Sequence, residues 1–279
     1  MSRNKNRMGS HRPENVEAPP QASPLNFVTP TEFVELPSQG KGYADDHPLY
    51  NEDTVEIRFM TAKDEDILTS HTLLKKGLAV DRFIQNIIVD KRIKPEHLLI
   101  GDKNAILIAA RVSGYGSTYE ATVTCGNCDT NNRISFDLTD TILTGNEVHE
   151  DLKMSRNSDG TFNVTLPFTK YTVTVRLLTG ADETYLAQYM TNSRKNKMPE
   201  NLMTSQFKRM ITSVEGYTDR AVLDEFIENM PTADSRHIRF VNRLITPNIE
   251  IKKTLECQEC DHEQEVDVPF GTDFFWPDR

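Results

Sequence analysis

Apolar residues alternate with polar ones in several short stretches of this chain, and elsewhere they recur every three or four residues. The alternating stretches predict strands near residues 54–60, 118–125, 132–138, 162–167, 171–178, 249–257 and 264–269. The stretches with helical spacing predict helices near residues 62–75, 79–89, 102–113, 181–192, 202–213, 219–229 and 233–245. A mixture of short strands and helices of this kind predicts an α+β protein.

A first block of the pattern occurs twice, at residues 55–68 and 173–186. The identities in register are Val55/Val173, Arg58/Arg176, Thr61/Thr179, Asp64/Asp182, Glu65/Glu183 and Leu68/Leu186. Each copy reads as a strand that leads into a helix. Thr61 and Thr179 are expected to cap these helices, because each has an aspartate three positions later, near the positive end of the helix dipole.

A second block repeats with a spacing of 132 residues. The identities at this spacing are Asp102/Asp234, Ile106/Ile238, Arg111/Arg243, Cys125/Cys257, Cys128/Cys260 and Asp129/Asp261. The spacing in the first block is 118, so the second copy contains 14 more residues, which we place in the polar stretch 192–203. Chance matching is the alternative, but one constant spacing across so many positions favours internal duplication into two halves that pack on each other.

The sequence divides accordingly. We expect a disordered N-terminal arm (1–24), an extended or loop segment (25–53), a first half (54–150), a second half (151–271) and an aromatic C-terminal tail (272–279).

The four cysteines form two CxxC pairs, each between two predicted strands, and no cysteine is left over. Two such turns can provide four thiolates for one tetrahedral zinc ion. We therefore predict two β-hairpin zinc knuckles that form a shared zinc ribbon around one structural Zn(II). The predicted ligands are Cys125, Cys128, Cys257 and Cys260. Two separate redox dithiols are the alternative, although neither CxxC begins a helix that would lower a thiol pKa.

Charge and motifs limit the function classes. The formal net charge is −10, and acidic residues flank the second cysteine pair, so direct nucleic-acid binding is not expected. The chain has no HExxH motif and no GxSxG motif, and we expect no enzymatic activity, no catalytic residues and no small-molecule substrate. No apolar run is long enough to span a membrane.

Two segments are candidates for contacts with partner proteins. One is the Pro- and Gly-containing loop at 36–43, and the other is the terminal Phe-Phe-Trp-Pro sequence, which contains the only Trp. Adjacent large rings are common at binding hot spots, but such a tail can equally pack on its own domain. The predicted partner contacts are Leu36, Pro37, Gly40, Tyr43, Phe274, Phe275, Trp276 and Pro277.

Taken together, these motifs resemble the baseplate hub proteins of T-even-like contractile-tailed bacteriophages. The resemblance rests on the sequences at 36–43, 60–68, 101–104 and 109–111, on both cysteine pairs and on the Phe-Phe-Trp-Pro tail. It implies a role in tail baseplate assembly, as a hub subunit or as a chaperone-like factor that helps the hub to form. The implied partners are other baseplate and hub proteins, and the implied locations are the host cytoplasm during assembly and the baseplate of the virion tail. A zinc-ribbon adaptor associated with nucleic acid is the alternative function.

Overall fold

The computed structural model describes residues 28–269 and 272–275. The predicted disordered arm at 1–24 lies outside the described residues. Within them the chain is a mixed α/β protein with several small antiparallel sheets.

The helices agree with the sequence pattern except at two places. They are α1 (Ala62–Thr69), α2 (His71–Lys76), α3 (Ala79–Ile87), α4 (Ile100–Tyr115), α5 (Gly180–Lys195), α6 (Leu202–Met210), α7 (Arg220–Asn229) and α8 (Thr232–Ile245). The single helix predicted at 62–75 is wrong, because Ser70 has an extended backbone and separates α1 from α2. The predicted end of α6 at 213 is also wrong, since residues after Met210, two of them β-branched and paired, join a neighbouring strand instead. Among the described helices, none has the combined length and apolar character that crossing a membrane would need.

The strands are short. They are β1 (Thr31–Glu35), β2 (Thr54–Arg58), β3 (Thr118–Thr124), β4 (Asn131–Asp137), β5 (Ile142–Thr144), β6 (Met154–Arg156), β7 (Phe162–Thr165), β8 (Thr172–Val175), β9 (Ile211–Val214), β10 (Asn248–Glu250), β11 (Lys252–Glu256) and β12 (Glu263–Asp267). Strands β6 to β9 form one four-stranded sheet. The remaining strands pair as β1–β2, β3–β4, β5–β10 and β11–β12.

The segment predicted as an extended region or loop contains β1, which pairs with β2 along its whole length. Phe33 is 70% exposed on this strand, whereas Val34 is buried. An apolar residue on the solvent face breaks the alternation that would have identified the strand. The predicted domain boundary at residue 54 therefore falls between two paired strands.

Helix α4 lies at the centre of the molecule. It contacts β1, β10, α3, α5 and the 3-10 turn at Thr272–Phe275. Its buried residues include Asp102, Lys103 and Arg111 as well as many apolar side chains. The surrounding buried apolar residues, from Val34 near the start to Phe275 near the end, form one hydrophobic core.

The predicted caps of α1 and α5 are confirmed. Thr61 and Thr179 each begin a capping box with the aspartate three positions later, Asp64 and Asp182. The side chain of Arg58 donates two hydrogen bonds to Asp64, at 2.7 and 2.8 Å, and Arg176 makes the same pair with Asp182. The two helix starts therefore have the same local chemistry.

Candidate metal centre and predicted docking segments

Both CxxC sequences form the turns of antiparallel hairpins. In the β3–β4 hairpin, the N–H of Cys125 donates to the carbonyl of Thr130 at 2.9 Å. In the β11–β12 hairpin, the N–H of Cys257 donates to the carbonyl of His262 at 3.0 Å. The two turns have the same backbone hydrogen bond, and the residues they carry include all four cysteines.

The residue after each second cysteine has a left-handed backbone. Asp129 has φ 58° and Asp261 has φ 53°. Knuckle turns often have glycine here, and aspartate adopts this conformation more readily than most residues do. The two turns therefore match in backbone conformation as well as in sequence.

The four cysteine sulfurs lie within 4.8 Å of one another. The Sγ atoms of Cys125 and Cys260 are 3.8 Å apart, and those of Cys128 and Cys257 are 3.5 Å apart. A tetrahedron of Zn–S bonds of about 2.3 Å has edges of about 3.8 Å, so the donor set fits one tetrahedral ion. A disulfide needs about 2.05 Å between sulfurs, and the cysteines are free.

Amide donors surround these sulfurs. The side-chain amide of Asn127 lies 3.5 Å from Cys260 Sγ, and that of Asn132 lies 3.6 Å from Cys257 Sγ. N–H donors stabilise thiolate, the form of cysteine that binds metal.

The pKa values of Cys257 and Cys260 are shifted in opposite directions. Hydrogen bonding from the backbone of Glu259 lowers the pKa of Cys257 to about 6. Asn127 and the backbone of His262 favour the Cys260 thiolate, but the neighbouring thiols of Cys128 and Cys257 retain its proton and raise its pKa to about 11. Four thiolates at these distances repel one another, and a bound cation would remove that repulsion.

The two hairpins also contact each other through a reciprocal pair of hydrogen bonds. Gln264 Oε1 accepts from the N–H of Gly126 at 2.7 Å, and Asn132 Oδ1 accepts from the N–H of Gln258 at 3.1 Å. Asn132 and Gln264 are themselves 132 positions apart, as are Gly126 and Gln258. Sequence reasoning missed these amides, although their spacing matched that of the cysteines.

His262, two residues after Cys260, is exposed and lies outside the four-ligand group.

The predicted docking loop at 36–43 lies inside the fold. Leu36, Pro37, Gly40 and Tyr43 are all buried. A side chain at position 40 would meet the backbone of Glu52, so only glycine fits there. Their assignment as partner contacts stays a prediction. Their burial does not support it, because none of these four residues is exposed to solvent.

A buried aspartate holds this loop in place. Asp102 accepts a hydrogen bond from the N–H of Ser38 at 2.9 Å and from the hydroxyl of Tyr43 at 2.7 Å. Burial raises the pKa of Asp102, which these donors partly offset. The sequence matched Asp102 with Asp234 but assigned neither of them a role.

Asp234 makes the corresponding contact in the second half. It accepts from the N–H groups of Phe168 and Thr169 at 2.8 and 3.0 Å. These residues follow Leu166-Pro167, just as Ser38 follows Leu36-Pro37. The Leu-Pro loop after β1 therefore has a counterpart after β7.

The aromatic tail packs back on the chain as far as it is described. Phe274 and Phe275 are buried, and their rings lie 5.2 Å from Tyr119 and 5.3 Å from Phe83, respectively. The guanidinium of Arg111 donates to the carbonyl of Phe274 at 2.8 Å. This arrangement favours docking on the chain's own domain over docking on a partner.

Trp276 and Pro277, the other two tail residues predicted as partner contacts, lie outside the described residues, and their assignment stays a prediction.

The chain is thus a small mixed α/β protein with a four-cysteine candidate metal centre. A family model described as T4 bacteriophage base plate protein matches residues 29–276. The chain therefore belongs to this family of phage baseplate proteins. No curated protein and no solved structure matches it significantly.

Proposed function

We propose that this chain is a non-enzymatic baseplate hub protein, acting as a hub subunit or as a hub assembly factor through protein–protein contacts. The family match over residues 29–276 carries this proposal, because it covers nearly all of the described chain. Its partners would be other baseplate and hub proteins. It would act in the host cytoplasm during assembly and, if it is a subunit, in the virion tail.

In this proposal one structural Zn(II) joins two duplicated halves as a shared zinc ribbon. The ligands would be Cys125, Cys128, Cys257 and Cys260, whose sulfur spacing suits a closed tetrahedral site. The paired aspartates of the helix starts and Leu-Pro loops support duplication, as do the reciprocal amide contacts between the hairpins. A closed four-thiolate site has no open position for a substrate, so the ion would stabilise the fold.

The nucleic-acid adaptor has less support. The exposed residues of the second hairpin include six acidic side chains, which would repel phosphate. They are Glu256, Glu259, Asp261, Glu263, Glu265 and Asp267.

Metal analysis tests the zinc centre. We expect about one zinc per chain in freshly purified, reduced protein, because four thiolates bind Zn(II) tightly at neutral pH. A Cys128→Ser/Cys260→Ser variant should lose that zinc. Wild-type protein purified without bound metal would contradict a zinc ribbon.

Particle analysis tests the baseplate role. Quantitative mass spectrometry of purified phage would find the protein in finished particles if it is a hub subunit, and only in assembly intermediates if it is an assembly factor. Absence from both would contradict the proposed function.

A further inference from the structure

Helix α5 is anchored at its start and largely exposed beyond it. Of its 16 residues, only Gly180, Asp182 and Ser193 are buried. Near the start of the helix, Glu183 pairs with the buried Lys103 at 2.9 Å, next to the Thr179 capping box. The later turns present large side chains to solvent, and a helix face of this kind normally packs against another surface.

A groove lies between the exposed side of α5 and the end of α2. Its volume is about 460 Å³, and Thr184, Gln188 and Thr191 of α5 form one wall. A second hollow of about 240 Å³ lies on the adjacent side of α5, and Gln188 and Asn192 line both. We call the two hollows together the lysine groove.

The lysine groove carries concentrated positive charge on an acidic chain. Lys75, Lys76 and Lys195 line it, and the residues lining the larger hollow include no carboxylate. None of these lysines has an ion-pair partner among the described residues. The net charge of the chain is −10, so three unpaired lysines in one groove depart from the rest of the surface.

Two carboxylates that are close in sequence to the lining residues are already paired. Glu183 bonds Lys103, and Glu200 bonds Arg194 at 2.8 Å. They therefore do not neutralise the groove, and its positive charge remains available to a ligand.

The smaller hollow adds apolar surface. It is lined by Tyr185, Tyr189 and Met198, and Tyr185 and Met198 are 48% and 60% exposed. Leu74, in the larger hollow, is 38% exposed. Tyrosine and methionine are frequent in protein interfaces, and adjacent lysines would select a negatively charged partner.

The helix that forms the groove wall is continuous, whereas the matching stretch of the first copy is broken at Ser70 into α1 and α2. With the spacing of 118, α2 corresponds to residues 189–194 of α5. In that stretch of α5 only Ser193 is buried, so its outer face is left for other contacts.

We propose that the lysine groove binds an acidic segment of a partner polypeptide, in which carboxylates alternate with leucine or aromatic side chains. The carboxylates would pair with the three lysines, and the apolar side chains would pack on Tyr185, Tyr189 and Met198. Three lysines beside an apolar hollow suit a polypeptide better than a nucleic acid, which requires more phosphate contacts. The inference rests on the proposed role in assembly through protein contacts and identifies the surface that makes one of them.

Peptide binding to the purified full-length protein tests this surface. The probe is a labelled synthetic peptide rich in glutamate, leucine and tyrosine, and the comparison peptide has glutamine in place of glutamate. We expect the glutamate peptide alone to bind. A Lys75→Glu/Lys76→Glu/Lys195→Glu variant should bind it about tenfold more weakly or worse.

A matched control reverses three exposed lysines that do not line the groove, Lys63, Lys94 and Lys153. This variant should bind as the wild type does, which separates the groove from the effect of net charge. A Tyr189→Ala/Met198→Ala variant should also weaken binding, and circular dichroism would verify that each variant is folded.

Three results would overturn the proposal. They are equal binding of both peptides, unchanged binding by the groove variant, and tighter binding of duplex DNA than of the glutamate peptide. Self-association that the groove variant abolishes would instead assign the groove to a second copy. These measurements use no phage particle. They can therefore contradict the proposed binding at the groove while the particle analysis still supports the baseplate role.

Discussion

Asp64 and Asp182 hold the starts of α1 and α5 through matching donors. Each accepts from an arginine and from the backbone of its capping threonine, and each has a third partner, Asn86 for Asp64 and Arg209 for Asp182. Burial opposes ionisation, but these donors outweigh it and lower the pKa of each carboxyl to about 2. Each aspartate therefore stabilises the fold only while it is charged.

The Asp64→Asn substitution should destabilise the protein by about 2–3 kcal/mol at pH 7, because the ion pair of the buried Asp64 with the partly exposed Arg58 is lost. The folded-state pKa lies below the unfolded value of about 3.9, so this stability is complete above that value and disappears as pH falls towards 2. Urea unfolding at pH 7 and at pH 3 measures it. The difference in free energy of unfolding between wild type and variant should be smaller at pH 3 than at pH 7.

Asp66→Asn is the matched control, since Asp66 is exposed on the same helix. It should change stability by less than about 0.5 kcal/mol. Equal effects of the two substitutions would show that the capping network contributes nothing specific.

At the scale of elements, the C-terminal turn ties the end of the chain to its first half. Phe275 lies against Phe83 of α3, and Arg111 of α4 bonds the carbonyl of Phe274. Burial lowers the pKa of Arg111. Such a guanidinium requires its carbonyl acceptors, so the position of the turn is determined by polar and apolar contacts together.

A double-mutant cycle tests this docking. Phe83→Ala and Phe275→Ala should each lower the free energy of unfolding by about 3 kcal/mol. The double variant should lower it by about 1 kcal/mol less than the sum of the two, because the rings contact each other. Denaturant unfolding of the four proteins measures the coupling.

Phe33→Ala serves as the control for loss of a ring, since Phe33 is 70% exposed. If the tail binds a partner and not its own domain in solution, Phe275→Ala will change the free energy of unfolding as little as Phe33→Ala does.

Local spacing was sufficient to predict the cysteine pairs, the caps at Thr61 and Thr179, and most helices, because each depends on residues a few positions apart. It was insufficient for β1, with its exposed Phe33, and for β9, which requires pairing with β8. The loop at 36–43 had the composition of a surface turn, and only its distant partner Asp102 explains why it is buried. These misses all depend on contacts between residues far apart in sequence.

At the scale of the whole molecule, the four-cysteine site joins the two hairpins. If one ion is shared, the Cys257→Ser variant should destabilise both halves together, because metal-binding free energy is then folding free energy for the whole chain. Limited proteolysis with mass spectrometry should show that residues 54–140 and the C-terminal half lose protection at the same denaturant concentration.

His262→Ala is the control in the same hairpin, since this side chain is exposed and outside the ligand group. It should keep the zinc and the protection. Persistent resistance of residues 54–140 in the Cys257→Ser variant would contradict a shared ion.

The reciprocal hydrogen bonds of Asn132 and Gln264 resemble those of a twofold dimer interface, in which each subunit offers the same patch to the other. Here both patches belong to one polypeptide. Reassembly after the hairpins separate is therefore a first-order process whose rate does not depend on protein concentration, unlike that of a true dimer. Even at high dilution, the protein therefore recovers its closed form without meeting another copy.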